Sequence, residues 1–154
     1  NASLKAVQIS QLTGGLVLSD DSGLEVDALG GAPGIYSARY AGEEGKHTAN
    51  NAKLLTELEH RQAKSDGDRA ARFRCSMVVA DAGKKLASFD GAIEGHIASH
   101  QTGSGGFGYD PLFIPEGFEE SFGELPASVK NGLSHRARAL EKAIPFLKNE
   151  IAGA

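Results

Sequence analysis

TGSGGFGYDPLF, Thr102–Phe113, spells G-x-G-x-x-G at Gly103, Gly105 and Gly108. A dinucleotide-binding turn of that pattern follows a strand and opens a helix, because the helix N-terminus holds the pyrophosphate. Here Tyr109-Asp110-Pro111 follows instead. Pro111 biases Asp110 toward extended geometry, Leu112-Phe113-Ile114 reads as a short strand, and Pro115 stops it. A nicotinamide oxidoreductase therefore survives only if a helix starts at Gly108. Two readings of the loop stand side by side. Its glycines bring backbone close to a ligand, with Phe107 and Tyr109 offering flat faces, or it is a tight turn whose aromatics fill the core.

The flanking sequence mixes helix and strand signals, which gives an α/β class. Ala2, Leu4, Ala6, Val7 and Ile9 suggest a helix ending near Gly14-Gly15, a pair suited to a C-cap. Leu16-Val17-Leu18 is a short strand that delivers the chain into Ser19-Asp20-Asp21-Ser22-Gly23, and Leu24–Asp27 alternates like a second strand. Gly30–Gly34 has loop composition. Thr48 is expected to cap a helix through Leu54, Leu55 and Leu58, and Ser65–Asp68 is a polar linker. Ala71–Val79 and Leu86–Phe89 flank turn residues as a hairpin, and Gly91–Ile97 continues the sheet. Ser134 is positioned to cap a last helix, with Ala137, Leu140, Ile144, Leu147 and Ile151 on one face. Pro145 inside it is expected to kink it.

The 154 residues suffice for one domain with a sizeable core. The net charge of -4 argues against a broad basic face for duplex nucleic acid, while leaving room for a phosphorylated small molecule held by a local cluster of cations. No apolar run approaches membrane-spanning length. Cys75 is the one cysteine; it lies among apolar residues and reads as a small core residue, and a reducing cytoplasm fits. The Asn1-Ala2-Ser3 sequon is read as chance.

Three segments carry candidate chemistry. Adjacent strand residues face opposite ways, so at the end of Leu16–Leu18 one of Asp20 and Asp21 faces a cleft and the other anchors a loop. A carboxylate so placed can hold Mg²⁺ and take a proton from water; Asp, Ser and Gly are also ordinary turn residues. In Gly103–Asp110 an aromatic ring can stack on a purine. Lys130 with Ser134-His135-Arg136 is a compact set of donors suited to phosphate oxygens or the keto oxygen of a base; an ordinary solvated first turn would look the same.

Taken together and in order, SDDSGLEVDALGGAPGIYSARYAG, GGFGYDPLF and SHRARAL resemble the inosine triphosphate pyrophosphatase family, the non-standard purine NTP pyrophosphatases. The resemblance covers essentially the whole chain. It implies an elongated mixed sheet flanked by helices, two lobes and a central cleft. It also implies a hydrolase that, with Mg²⁺, converts ITP, dITP or XTP to the monophosphate and pyrophosphate, cleansing the nucleotide pool as a homodimer. Carried over by motif, Asp21 is the catalytic general base and metal ligand. Ser22, Phe107, Gly108, Tyr109, Asp110, Lys130, His135 and Arg136 are substrate contacts.

Members of that family begin with a strand, a T/S-x-N-x-x-K phosphate turn and a metal-holding glutamate, all ahead of the block that resembles Asn1–Ala6. Residues 1–154 are thus expected to be a single family domain, N-terminally incomplete and inactive as a segment alone. The competing reading is a non-catalytic purine-nucleotide-binding module of the same fold.

Overall fold

The computed structural model describes residues 2–42 and 46–152, except the side chains of 2–5 and 151–152. Asn1 and the side chains of Ala2, Leu4 and Ile151, all named above, lie outside the described residues. The elements run α1 (Ala2–Thr13), β1 (Leu16–Val26), α2 (His47–His60), β2 (Ala70–Asp81), β3 (Lys84–Ile97), β4 (Phe113–Pro115), α3 (Ala127–Leu133) and α4 (His135–Ala152), with short 3-10 turns at Asp27–Leu29, Gly34–Arg39 and Gly67–Arg69. The α/β class is borne out. The four strands form one sheet in the order β1-β2-β3-β4, and β3 pairs antiparallel with β4 from Gly95–Pro115 to Ile97–Phe113.

Local chemistry accounts for several boundaries. α1 ends where Gly14, at φ +70°, donates to the Ser10 carbonyl at 2.8 Å, the expected C-cap. The β2–β3 hairpin turns through Ala82 and Gly83, both at positive φ, as two-residue hairpins favour. α4 starts as expected, with the Ala137 N–H on Ser134 Oγ at 3.2 Å, and runs on through Pro145.

Other expectations are corrected. Asp20–Gly23 does not form a loop between two short strands: β1 is continuous for 11 residues, and ladder pairing overrides turn-type composition. α2 begins one residue before Thr48, with Lys46 at the cap position and no side-chain cap bond. The fourth strand is Phe113–Pro115, leaving Leu112 out and taking Pro115 in. The buried face of α4 is Ala139 and Ala143 with Leu147 beside them, whereas Leu140 and Ile144 are each 39% exposed.

The described chain divides into two compact units. One comprises Asn1–Ser22, Arg74–Ala92 and Ser134–Ala154; the other comprises Gly23–Phe73 and Ile93–Leu133. In the first unit, Cys75 and Met77 pack on Ala139 and Ala143 of α4. Cys75 is the core residue expected, and burial pushes its thiol up from the ordinary range. Gly91 of β3 is where strand and helix meet most closely: a Cβ there would collide with the His135 carbonyl oxygen and the Ala139 nitrogen.

The second unit is built around Leu24, Leu54, Leu58, Phe73, Phe113 and Phe122. Its aromatic centre has ring centroids 4.6 Å apart for Phe73–Phe113 and 5.6 Å for Phe113–Phe122. The buried Arg69 donates to the carbonyls of Ala63, Ile97 and Ala98 at 2.8, 2.6 and 2.7 Å. That fork fixes the end of β3, from which the glycine-rich loop departs.

Because the atoms facing Gly91 are backbone, no side-chain rotation can make room for a methyl group. Gly91→Ala should destabilise the fold by about 1–3 kcal/mol, as overpacking does, seen as a lower urea midpoint at unchanged m-value.

Candidate active site

The glycine-rich loop lies in the second unit and is closed at its base by backbone bonds. Ala98 N–H donates to Leu112 O at 2.8 Å and Thr102 N–H to Pro111 O at 2.9 Å. After Gly108 the chain continues through turns to β4 and no helix opens there, so the helix that a dinucleotide turn requires is absent. The glycines have steric work instead. A Cβ on Gly103 would collide with the Gly123 backbone, and one on Gly106, at φ +78°, with the Asp110 carboxylate. Gly105 N–H donates to Gly123 O at 3.0 Å. The loop is threaded against a second backbone and wrapped around an aspartate.

That aspartate organises the segment. Asp110 is 4% exposed. Its Oδ2 accepts the Phe107 N–H at 2.7 Å and forms a close ion pair with Lys130 of α3. The Lys130 ammonium also lies 5.8 Å from the centroid of the Phe122 ring. α3 itself carries no strong sequence signal; its pairing with Asp110 spans 20 residues and could have been sought only as an acid–base pair around the loop.

The two loop aromatics part company. Tyr109 is 6% exposed and its hydroxyl donates to the Ser37 carbonyl at 2.7 Å; burial pushes its ionisation well above the ordinary tyrosine range. Phe107 is 70% exposed. Tyr109 fills the core as the tight-turn reading expects, and Phe107 does not.

The remaining sequence-derived residues lie in the first unit. Along β1, Asp20 and Ser22 share one face and Asp21 takes the other. Arg136, in the first turn of α4, sets its Nε 3.2 Å from Asp20 Oδ2 and 3.4 Å from Ser22 Oγ. The sequence reading missed the Asp20–Arg136 pair. His135 is the first residue of α4. The structure thus brings Ser22 together with Arg136, and Asp110 together with Phe107, Gly108 and Lys130. Among the described residues no three His, Cys, Asp or Glu side chains gather as a metal-holding group.

A family model described as the Ham1 family matches residues 1–146. The chain belongs to the Ham1 family. Membership bears out the resemblance read from the three motifs. The dITP/XTP pyrophosphatase of Desulforamulus reducens is 50% identical over 147 residues, which cover 96% of this chain and 72% of that protein. The protein of the same name from Bacillus subtilis is 43% identical over 148 residues, 96% of this chain and 73% of that one. Among solved structures, the Ham1 protein of Staphylococcus aureus superposes with a TM-score of 0.87 at 39% identity, covering 97% of this chain and 75% of that chain. A nucleoside-triphosphatase / dITP/XTP pyrophosphatase of Mycobacterium abscessus gives 0.81, also at 39%, covering 96% and 74%.

In this Ham1 protein the Asp110–Lys130 pair is asymmetric, since the Asp110 side chain is 5% exposed and that of Lys130 28%. Removing the lysine strands a buried carboxylate; removing the carboxylate leaves an ammonium that reaches water. Lys130→Ala should therefore destabilise by on the order of 3 kcal/mol and Asp110→Asn by less, the ordering being read from paired urea denaturation curves.

Proposed function

We propose that this Ham1 protein is a nucleotide-pool-cleansing hydrolase. It cleaves non-standard purine nucleoside triphosphates, dITP, ITP and XTP, to the monophosphate and pyrophosphate. The observation that carries this is the identity of about half of all residues, over 96% of the chain, with a protein named for hydrolysis of dITP and XTP.

Asp21 is the residue we assign to the chemistry. Water adds to the α-phosphoryl group, Asp21 takes the proton, and the bond to the bridging oxygen breaks as pyrophosphate leaves. One carboxylate is within what Mg²⁺ requires when substrate phosphates and water complete its octahedron, so the donor set fits that ion with Asp21 as its protein ligand. Mg²⁺ would supply neutralisation of phosphate charge. Asp21→Asn keeps the shape and removes both roles. It should lower kcat for dITP by about 10²–10⁴-fold, measured as pyrophosphate release by the full chain with Mg²⁺. A value within a few-fold of the unmodified enzyme sinks the assignment.

Base selection follows from hydrogen-bond polarity. Hypoxanthine and xanthine carry an acceptor oxygen where adenine carries a donor amino group. We assign Lys130, His135 and Arg136 as donors toward the base, and Ser22 as a substrate contact. Adenine then leaves a donor unmatched, which costs about 1–3 kcal/mol per buried group. Phe107, exposed on its loop, contributes stacking of ~1–3 kcal/mol without choosing among purines. Gly108 gives the loop its turn at φ +60°; Tyr109 and Asp110 act by holding the loop. Arg136→Ala should lower kcat/KM for ITP about ten- to hundredfold more than for ATP, whereas Phe107→Ala should weaken both alike. An unchanged ITP/ATP ratio in Arg136→Ala would overturn the donor account.

A further inference from the structure

α2 reaches the glycine-rich loop at two points that none of the three motifs contains. Asn51, 3% exposed, donates from Nδ2 to the Gly108 carbonyl at 3.1 Å. Among the described residues its Oδ1 is buried without a hydrogen-bond partner, so the bond to Gly108 is the one the amide makes there. One turn earlier on the same helix face, residue i to i+4, His47 sets its imidazole against the Phe107 ring. The centroids are 4.5 Å apart and the planes 67° apart, an edge-to-face contact.

Phe107 is too exposed for burial to fix its plane. A neighbouring ring can do so, because edge-to-face aromatic pairs have a preferred geometry. Whichever ring supplies the edge, at least one face of Phe107 stays open for a flat ligand. The carbonyl of Gly108, next in the chain, is meanwhile pinned to the helix. Backbone and ring of the loop are thus both referred to α2, which the buried Asn50 in turn locks to the preceding segment: it accepts from Ala41 N–H at 2.7 Å and donates to Ala38 O at 3.1 Å.

We propose that His47 and Asn51 are positioning residues for purine recognition. Asn51 sets the loop backbone at Gly108, and His47 sets the plane of the Phe107 ring on which the base stacks. This rests on the reading of the loop as the purine site, and the test separates the two.

In the full chain with dITP and Mg²⁺, His47→Ala should raise KM about 2- to 10-fold with kcat within about twofold of the parent. His47→Phe, which keeps an aromatic edge, should restore KM. In a Phe107→Ala background, His47→Ala should add nothing, because the ring it orients is gone. Hydrogen–deuterium exchange of the peptide spanning 105–109 should quicken about 2- to 10-fold in Asn51→Ala, and Asn51→Asp, which offers no donor to the carbonyl, should not restore it. Additive KM effects of His47→Ala and Phe107→Ala overturn the role of His47, and unchanged exchange in Asn51→Ala overturns that of Asn51. If Phe107→Ala alone leaves KM unchanged, the purine reading of the loop falls. Exchange across 105–109 in the His47 and Asn51 variants then decides the positioning by itself, quicker exchange supporting it and unchanged exchange overturning it.

Discussion

A buried carboxylate wrapped by its own loop is the constraint on which the second unit depends. Asp110 cannot sit in an apolar interior without partners for its charge. It finds them in the Phe107 N–H, three residues back, and the Lys130 ammonium on α3. Meeting the first demand curls Gly105–Asp110 into a turn that only glycine permits at Gly106. Meeting the second draws α3 to the loop. The conformation of the loop is therefore a consequence of solvating one charge by protein.

Tyr109 meets the same loop from the other side. Its hydroxyl reaches the Ser37 carbonyl, and Ser37 Oγ accepts the Leu24 N–H at 2.9 Å while donating to Gly34 O at 2.6 Å. The end of β1, the Gly34–Arg39 turn and the glycine-rich loop are thus hydrogen-bonded through one buried serine. With Tyr109 turned inward and Asp110 beneath, Phe107 is left outside, and its exposure is the geometric result of anchoring the residues that follow it. An exposed aromatic on a fixed loop loses little entropy on stacking, the circumstance in which stacking contributes most to affinity.

What the sequence made legible was local. A glycine pair after a helical run, turn residues between two apolar runs, and a serine ahead of a helix each act within a few residues, and α1, the hairpin and α4 begin or end where they direct. The failures share a cause of the opposite kind. Asp20–Gly23 has turn composition, yet pairing with β2 keeps it extended. On α4, Leu140 and Ile144 look like the buried stripe because they are large, but the helix buries Ala139 and Ala143. There Gly91 offers no side chain, and close approach of backbones excludes bulk. Asp110–Lys130 and Asn51–Gly108 are contacts across 20 and 57 residues, beyond the reach of periodicity. The chemistry of the site was legible only through motif resemblance, and of the residues that hold the loop in place, Asn51 and Lys130 lie outside the three motifs.

The two adjacent aspartates make the division of labour on β1 a matter of strand geometry. With a side-chain period of two, Asp20 and Ser22 fall together and Asp21 falls opposite. Arg136 approaches from the Asp20 side, at 3.2 Å, and meets Ser22 on the same side. The acidic doublet is therefore two separate devices. Asp20 meets an arginine at the start of α4, and Asp21 is directed by the pleat to the opposite face of the strand.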